Sequence, residues 1–185
     1  MNNTFDFGDG DGPVPAHRHV NPDGSIGGWV AETAYMGEPA YVGPDALVYG
    51  FAHVVDEARV MDQARVHGNA LLNKRARVME NARVYGHAQV ADQACVTYYA
   101  HVRGDANVSD SAVICGWAVV EGEAWVDRWA FVGGRAVVSG HGWVTGLSRV
   151  TGTTQVYGQV TKPETSHGIV PSHGFVANFM AGVVR

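Results

Sequence analysis

Long apolar runs are missing from this 185-residue sequence, and so are the features of a secretory leader. No stretch approaches the roughly 18 apolar residues that a membrane-spanning helix needs. The opening segment, MNNTFDFGDGDGPVP, contains neither a basic stretch nor an apolar one. Cysteine occurs only at Cys95 and Cys115, which is too few for a disulfide framework and is typical of a reducing compartment. We therefore expect a soluble, cytoplasmic protein.

Charge is also scarce, since charged residues make up 17% of the chain and acidic residues outnumber basic ones by 18 to 13. A chain this poor in charge is neither a disordered polyelectrolyte nor a long charged helix. The net charge of −5 argues against duplex nucleic acid as the default partner, because proteins that bind duplexes are usually basic. Glycine, valine and alanine are abundant, and the length favours a single domain.

Alanine recurs at every sixth position from Ala34 to Ala136, without a single slip. Other small residues continue the series as far as Thr154, and an apolar residue, most often valine, follows two positions after each of them. The unit small–x–Val–x–x–x is therefore repeated 21 times in the segment 34–159. Gly28-Trp29-Val30 indicates one more unit upstream.

A period of six residues fits a strand followed by a turn. It does not fit an α-helix, whose 3.6-residue period would spread the alanines around the axis. Within the triplet small–x–Val, the first and third residues point to one side of a strand and the middle residue to the other. Three such units close a triangular coil, which therefore has an 18-residue repeat. One row of glycines has this spacing and predicts a repeated corner with positive φ or close backbone approach: Gly50, Gly68, Gly86, Gly104, Gly122, Gly140 and Gly158.

Units such as Asn81-Ala82-Arg83-Val84-Tyr85-Gly86 and Gly68-Asn69-Ala70 resemble those of the hexapeptide-repeat left-handed β-helix family. The resemblance covers about two thirds of the chain. It implies an all-β fold, a left-handed parallel β-helix shaped as a triangular prism of about seven 18-residue coils. The family includes CoA-dependent acyltransferases, γ-class carbonic anhydrases and binding or scaffold proteins, and many of its members are trimers.

The repeat divides the chain into three segments. Residues 1–27 are an irregular N-terminal leader, 28–159 are the β-helix, and 160–185 are a C-terminal tail. A solenoid needs capped ends, because an open end exposes apolar core and unpaired strand edges. The six-residue register breaks after Val160, so the tail is expected to be a displaced final coil, a cap, or an arm that packs on a neighbouring subunit.

The outward positions of the central coils are basic. Seven of the thirteen Lys and Arg residues lie between residues 59 and 103. Such a cluster predicts a site for phosphate, a nucleotide or the phosphates of CoA. The predicted ligand-binding residues are Arg59, Arg65, His67, Arg77, Arg83, His101 and Arg103. The alternative is a solvated face that is neutralised by nearby carboxylates, namely Asp56, Glu57, Asp62, Glu80 and Asp105.

Aromatic residues gather at outward positions of the later coils. Exposed tryptophan at this density is typical of an interface, here a contact between the subunits of a homotrimer. Two alternatives are coverage by the chain's own leader or tail and a platform on which a ligand stacks. The predicted association residues are Trp117, Trp125, Trp129, Phe131 and Trp143.

The enzymatic alternatives depend on histidine. His101, inside the basic cluster, is best placed to act as the general base of a CoA-dependent acyltransferase. The uninterrupted repeat, however, leaves no inserted loop to build an acceptor pocket. A zinc site like that of carbonic anhydrase would need three histidines. The candidates His67, His87 and His101 do not match the close pair that the carbonic anhydrase family uses.

The sequence therefore favours a non-enzymatic binding protein without a cofactor or a metal. We expect a homotrimer that recognises a protein partner or an anionic small molecule. An accessory or virus-encoded protein that occupies another protein's site would fit this description. CoA is expected only if the acyltransferase alternative holds.

Overall fold

The computed structural model describes residues 3–161 and the backbone of 165–166 and 169–170. These residues form strands and turns, without a helix. The described part of the chain thus contains no helical segment of the length and apolarity that crossing a membrane requires.

Three sheets form the sides of the molecule, one of eleven strands and two of eight. Sheet 1 contains β1 (Thr4–Phe5), β2 (Val14–Val20), β3 (Ile26–Ala31), β6 (Leu47–Val48), β9 (Arg65–Val66), β12 (Arg83–Val84), β15 (His101–Val102), β18 (Val119–Val120), β21 (Val137–Val138), β24 (Gln155–Val156) and β27 (Ile169–Val170). Sheet 2 contains β4 (Tyr35–Met36), β7 (His53–Val54), β10 (Leu71–Leu72), β13 (Gln89–Val90), β16 (Asn107–Val108), β19 (Trp125–Val126), β22 (Trp143–Val144) and β25 (Gln159–Val160). Sheet 3 contains β5 (Tyr41–Val42), β8 (Arg59–Val60), β11 (Arg77–Val78), β14 (Cys95–Val96), β17 (Val113–Ile114), β20 (Phe131–Val132), β23 (Arg149–Val150) and β26 (Thr165–Ser166).

Each coil strand pairs in parallel with the equivalent strand of the preceding coil and with that of the following coil. Arg83, for example, lies in register with Arg65 on one side and His101 on the other. Trp29 pairs in the same way with Leu47, so the unit predicted upstream of the repeat is present. The prediction of an all-β parallel β-helix of about seven turns is confirmed.

The core consists of the alanine and valine rows that the repeat predicts to point inward. Ala82, Val84 and their equivalents in the other coils are fully buried. Backbone hydrogen bonds join each coil to the next, as between Arg83 N and Ala100 O at 2.9 Å. Alternation places the middle residue of each triplet on the outside, so the outward rows are free to carry function.

At most corners the chain turns through the left-handed backbone region. At corner 1, which follows sheet 1, the first six glycines of the predicted row have φ between +60° and +78°. At the corners after sheets 2 and 3, non-glycine residues adopt this conformation in several coils. Aspartates there accept a backbone N–H from the next coil, as Asp56 Oδ2 does from Lys74 N at 2.9 Å. This hydrogen bond offsets part of the strain of a positive φ.

The last predicted corner glycine, Gly158, behaves differently. It is buried, and β25 begins at the next residue, where Gln159 pairs with Trp143 and not with His141, its equivalent one full coil earlier. The predicted position of the register break, after Val160, is therefore wrong, because the unit between β24 and β25 is already shortened. Gly158 takes the small inward position of this shortened unit, and Val160 takes the valine position.

The leader adds two antiparallel strands to the first edge of sheet 1, since β1 pairs with β2 and β2 with β3. Phe5 stacks on Trp29, with ring centroids 4.7 Å apart, and the buried Phe7 stacks on Tyr49 at the same distance. The leader thus packs on sheet 1 of the first coils. The three alternatives for the tail concern residues that lie mostly outside the described part of the chain.

Candidate functional site: an axial groove beside sheet 1

Two outward rows run along sheet 1, parallel to the axis of the β-helix. The first contains Arg65, Arg83 and His101, one from each of three consecutive coils. The second row follows two positions later in each coil and contains Tyr49, His67, Tyr85 and Arg103. Because parallel strands lie about 4.8 Å apart, each row brings its side chains into contact range.

The second row forms a ladder of stacked rings. His67 lies between Tyr49 and Tyr85, with centroid distances of 4.6 and 4.9 Å and nearly parallel planes. His101 Nδ1 lies 3.5 Å from the Tyr85 hydroxyl, and the two rings meet edge to face. Because Phe7 of the leader covers the other end of the ladder, these rings are held in one arrangement.

Both histidines of this surface have lowered pKa values. Burial, followed by the Arg83 charge, lowers the pKa of His67 to about 4, although Asp9 of the leader partly opposes this effect. Burial also lowers the pKa of His101, with further contributions from Arg83 and Arg103. Both imidazoles are therefore neutral near pH 7, and the positive charge of the surface resides on the guanidinium groups.

A groove of about 440 Å³ runs beside the first row, along the corner that joins sheets 3 and 1. Its wall is a row of corner residues in which Tyr99 and Trp117 stack, with ring centroids 4.2 Å apart and planes only 5° from parallel. The groove thus combines guanidinium, imidazole, amide and aromatic groups. Its lining consists of Gln63, Arg65, Asn81, Arg83, Tyr99, His101 and Trp117.

The arginines of this surface differ in what they bind. Arg103 forms an ion pair with Glu121, with an Nε–Oε2 distance of 2.7 Å, and donates to the Tyr85 hydroxyl at 3.2 Å. Arg65 donates to the backbone carbonyl of Phe7 at 3.3 Å. Arg83 is exposed, and among the described residues it has no hydrogen-bond or ion-pair partner.

Four of the five carboxylates that were expected to neutralise this surface are engaged elsewhere. Glu57 pairs with Arg75 at 3.0 Å, and Asp105 lies 3.4 Å from His87. Asp56 and Asp62 accept backbone N–H groups at their corners. No carboxylate of the described chain forms an ion pair with Arg83 or Arg65, so the groove keeps their positive charge.

The structure divides the seven predicted ligand residues between two faces. Arg59 and Arg77 lie in register on sheet 3, across the corner from the groove, and Arg59 packs over the ring of Tyr41. The other five lie on sheet 1, where His67 and Arg103 support the ladder and three residues line the groove: Arg65, Arg83 and His101.

Sequence reasoning missed the wall residues Gln63, Asn81 and Tyr99. The signal was present, because all three precede Trp117 at intervals of one coil. Corner residues and strand residues belong to different rows of the repeat, whereas a groove forms where a strand and its preceding corner meet.

The five predicted association residues do not share one surface. Trp125 and Trp143 lie on sheet 2, Trp129 at the corner after it, and Phe131 on sheet 3, where Arg149 packs 4.3 Å from its ring centroid. Trp117 belongs to the groove. The described leader residues pack on sheet 1 and cover none of them, and all four tryptophans are exposed. The homotrimer stays a prediction, and no single flat contact could use all five residues.

Within the described chain, no three His, Cys, Asp or Glu side chains are arranged to hold a metal ion. The zinc alternative therefore has no ligand set in residues 3–161. Comparisons with protein-family models, with curated proteins and with solved structures find no match to this chain.

Proposed function

We propose that this chain is a binding protein of the hexapeptide-repeat, left-handed β-helix type, and that its axial groove recognises an anionic small molecule. The single observation that carries the proposal is Arg83, which lies in the groove between Arg65 and His101 without a carboxylate partner among the described residues. An exposed guanidinium on a rigid surface can bind a phosphate or carboxylate with two parallel hydrogen bonds.

The rest of the groove indicates what else such a ligand contains. The stacked pair Tyr99 and Trp117 provides an apolar wall, and the amides of Gln63 and Asn81 can donate to and accept from polar atoms. A planar body with one or two anionic groups, as in a nucleotide, complements this combination. The groove is open and its lining is held by the coils, so little ordering is required on binding.

Calorimetric titration with ATP and with inorganic phosphate tests the proposal. We expect Arg83→Ala to weaken ATP binding at least tenfold, and higher ionic strength to weaken binding to the unmodified protein. Arg77→Ala is the matched control, because Arg77 is also an exposed strand arginine but lies on sheet 3. Equal losses in the two variants, or no saturable binding to either probe, would contradict the proposal.

Native mass spectrometry of the protein as purified complements the titration. A small anionic passenger that is released on denaturation would identify the ligand class directly. The same spectrum reports the oligomeric state and so tests the predicted homotrimer.

The second candidate is a CoA-dependent acyltransferase with His101 as general base. The observation in its favour is the lowered pKa of His101, which leaves a neutral, base-competent imidazole in the groove at pH 7. Turnover of acetyl-CoA with a panel of amine and hydroxyl acceptors, lost in His101→Ala, would favour the enzyme. Binding of acetyl-CoA without turnover would favour the binding protein.

A further inference from the structure

Sheet 2 has a different chemical character from the other two faces. Its described outward residues include no Lys or Arg, and Asp127 is their only carboxylate. Amides and hydroxyls precede the tryptophans along the axis of this sheet. The outward positions of its later coils hold Leu71, Asn73, Gln89, Ala91, Asn107, Ser109, Trp125, Asp127, Trp143, Thr145, Gln159 and Thr161.

The indoles of Trp125 and Trp143 lie in register on neighbouring strands of sheet 2. They are 52% and 40% exposed. No aromatic ring or guanidinium of the described chain packs on either of them, whereas Trp29 stacks on Phe5 and Trp117 on Tyr99. Two aromatic surfaces one strand spacing apart are therefore open to a ligand.

The Trp143 ring is held in place by its own sheet. Its Nε1–H donates to Asp127 Oδ2 at 3.0 Å, and the other oxygen of Asp127 accepts from the Thr145 hydroxyl. Thr145 is buried, so this chain of contacts ties the indole to the β-helix. An indole fixed in this way loses little rotamer freedom when a ligand packs on it.

We infer that sheet 2 binds a neutral oligosaccharide, in particular a β-linked chain of hexopyranoses. The C–H face of a pyranose ring packs on an indole, and its hydroxyl groups both donate to and accept from amides such as Gln89 and Asn107. The strand spacing of about 4.8 Å is close to the length of one such sugar unit. No Lys or Arg lies at an outward position on the described strands of this face, which suits an uncharged ligand.

A second copy of this chain would be a less suitable occupant of sheet 2. A stable dimer buries roughly 1,200–2,000 Å² with an apolar centre. Towards the first coils, the outward strand residues next to the two tryptophans are the polar Asn107 and Gln89, so the tryptophans lie at one end of a polar strip. A saccharide can pack on the indoles and also hydrogen-bond to the amides, whereas an apolar partner would leave the amides without hydrogen-bond partners.

Titration of the full chain with cellohexaose and with chitohexaose, followed by tryptophan fluorescence and calorimetry, tests the inference. We expect saturable binding to at least one of them, weakened at least tenfold in Trp125→Ala and in Trp143→Ala. Asp127→Asn should weaken it by a smaller factor, because the amide oxygen can still accept from the indole. Phe51→Ala is the control and should bind normally, since Phe51 is an exposed aromatic residue at a corner several coils away from both tryptophans.

Circular dichroism and thermal melting establish that the variants are folded before their binding is compared. Two results would overturn the inference. One is the absence of saturable binding to both hexasaccharides by the folded, unmodified protein. The other is a concentration-dependent oligomer that Trp143→Ala abolishes, which would assign sheet 2 to self-association. Neither result affects the anion site, because Arg83 lies on a different face.

Discussion

His67 illustrates how stacked coils change the chemistry of one side chain. In the folded protein its pKa is about 4, mainly because it is buried between two tyrosine rings, whereas the ordinary value is 6.5. Between these two values the unfolded chain binds more protons than the folded one, so stability rises with pH. The contribution is fully present above pH 6.5 and is lost as the pH falls towards 4.

We expect His67→Phe to remove this part of the pH dependence while it preserves the stacked ladder. Between pH 6.5 and 4 the unmodified protein should lose about 1–2 kcal/mol more stability than the variant, which is less than the full linkage value because the ring is partly exposed. Urea denaturation at several pH values measures the difference. His141→Phe is the control at an exposed position, and an unchanged slope in His67→Phe would refute the assignment.

At the scale of a single structural element, the glycine corner limits which residues the repeat can accept. Gly86 has φ +78°, and a Cβ atom there would lie 2.8 Å from the backbone nitrogen of Gly104 in the next coil. Gly140 occupies the same corner with φ +60°, but a Cβ atom there would have no neighbour within 4 Å.

These two glycines form a matched pair for measurement. Gly140→Ala should cost about 1–2 kcal/mol from backbone strain alone. Gly86→Ala should cost about 1–3 kcal/mol more, because the backbone of the adjoining coil must shift to avoid the new methyl group. Thermal or urea unfolding of both variants compares them, and equal destabilisation would show that φ strain is the only cost.

The strands offer a second test at this scale, because adjacent residues point in opposite directions. Val84 is fully buried, so Val84→Asp should place a carboxylate in the core and cost at least about 4 kcal/mol. Arg83→Asp, one position earlier on the exposed side, should change stability by less than about 1 kcal/mol. Cooperative melting of Val84→Asp at the normal temperature would contradict the inward position of this row.

At the scale of the whole molecule, the stability of the β-helix is approximately the sum of the stabilities of its coils and of the contacts between neighbouring coils. A terminal coil has a neighbour on one side only, so local unfolding begins at the ends. Phe7 is buried against Tyr49 and helps to cap the first coils. Phe7→Ala should cost about 3–5 kcal/mol and should reduce hydrogen-exchange protection first in the strands nearest the leader. Phe51→Ala, at an exposed corner, is the control. Uniform loss of protection along the β-helix would argue against a local cap.

The periodic part of the molecule could be predicted from the sequence because each coil repeats the same arrangement of inward, outward and corner residues. Small residues and valines at fixed steps predict the inward rows, and the regular glycine spacing of one per coil predicts a corner with positive φ, as Gly86 shows. The shortened unit at Gly158 could not be read in this way. A buried glycine and a corner glycine look alike in sequence, and only the strand pairing distinguishes them.

By itself the sequence determined the fold type, the inward rows and the outward basic cluster, because these follow from the hexad period and from the three hexads that make one coil. Only the tertiary structure decided which outward residues act together. It joined Tyr99 and Trp117 into the wall of a groove and placed Phe7 of the leader on Tyr49. The physical reason is that the six-residue period of the sequence specifies only the face on which a residue lies. Contacts across a corner, and contacts with a segment outside the repeat, depend on how the chain packs in three dimensions.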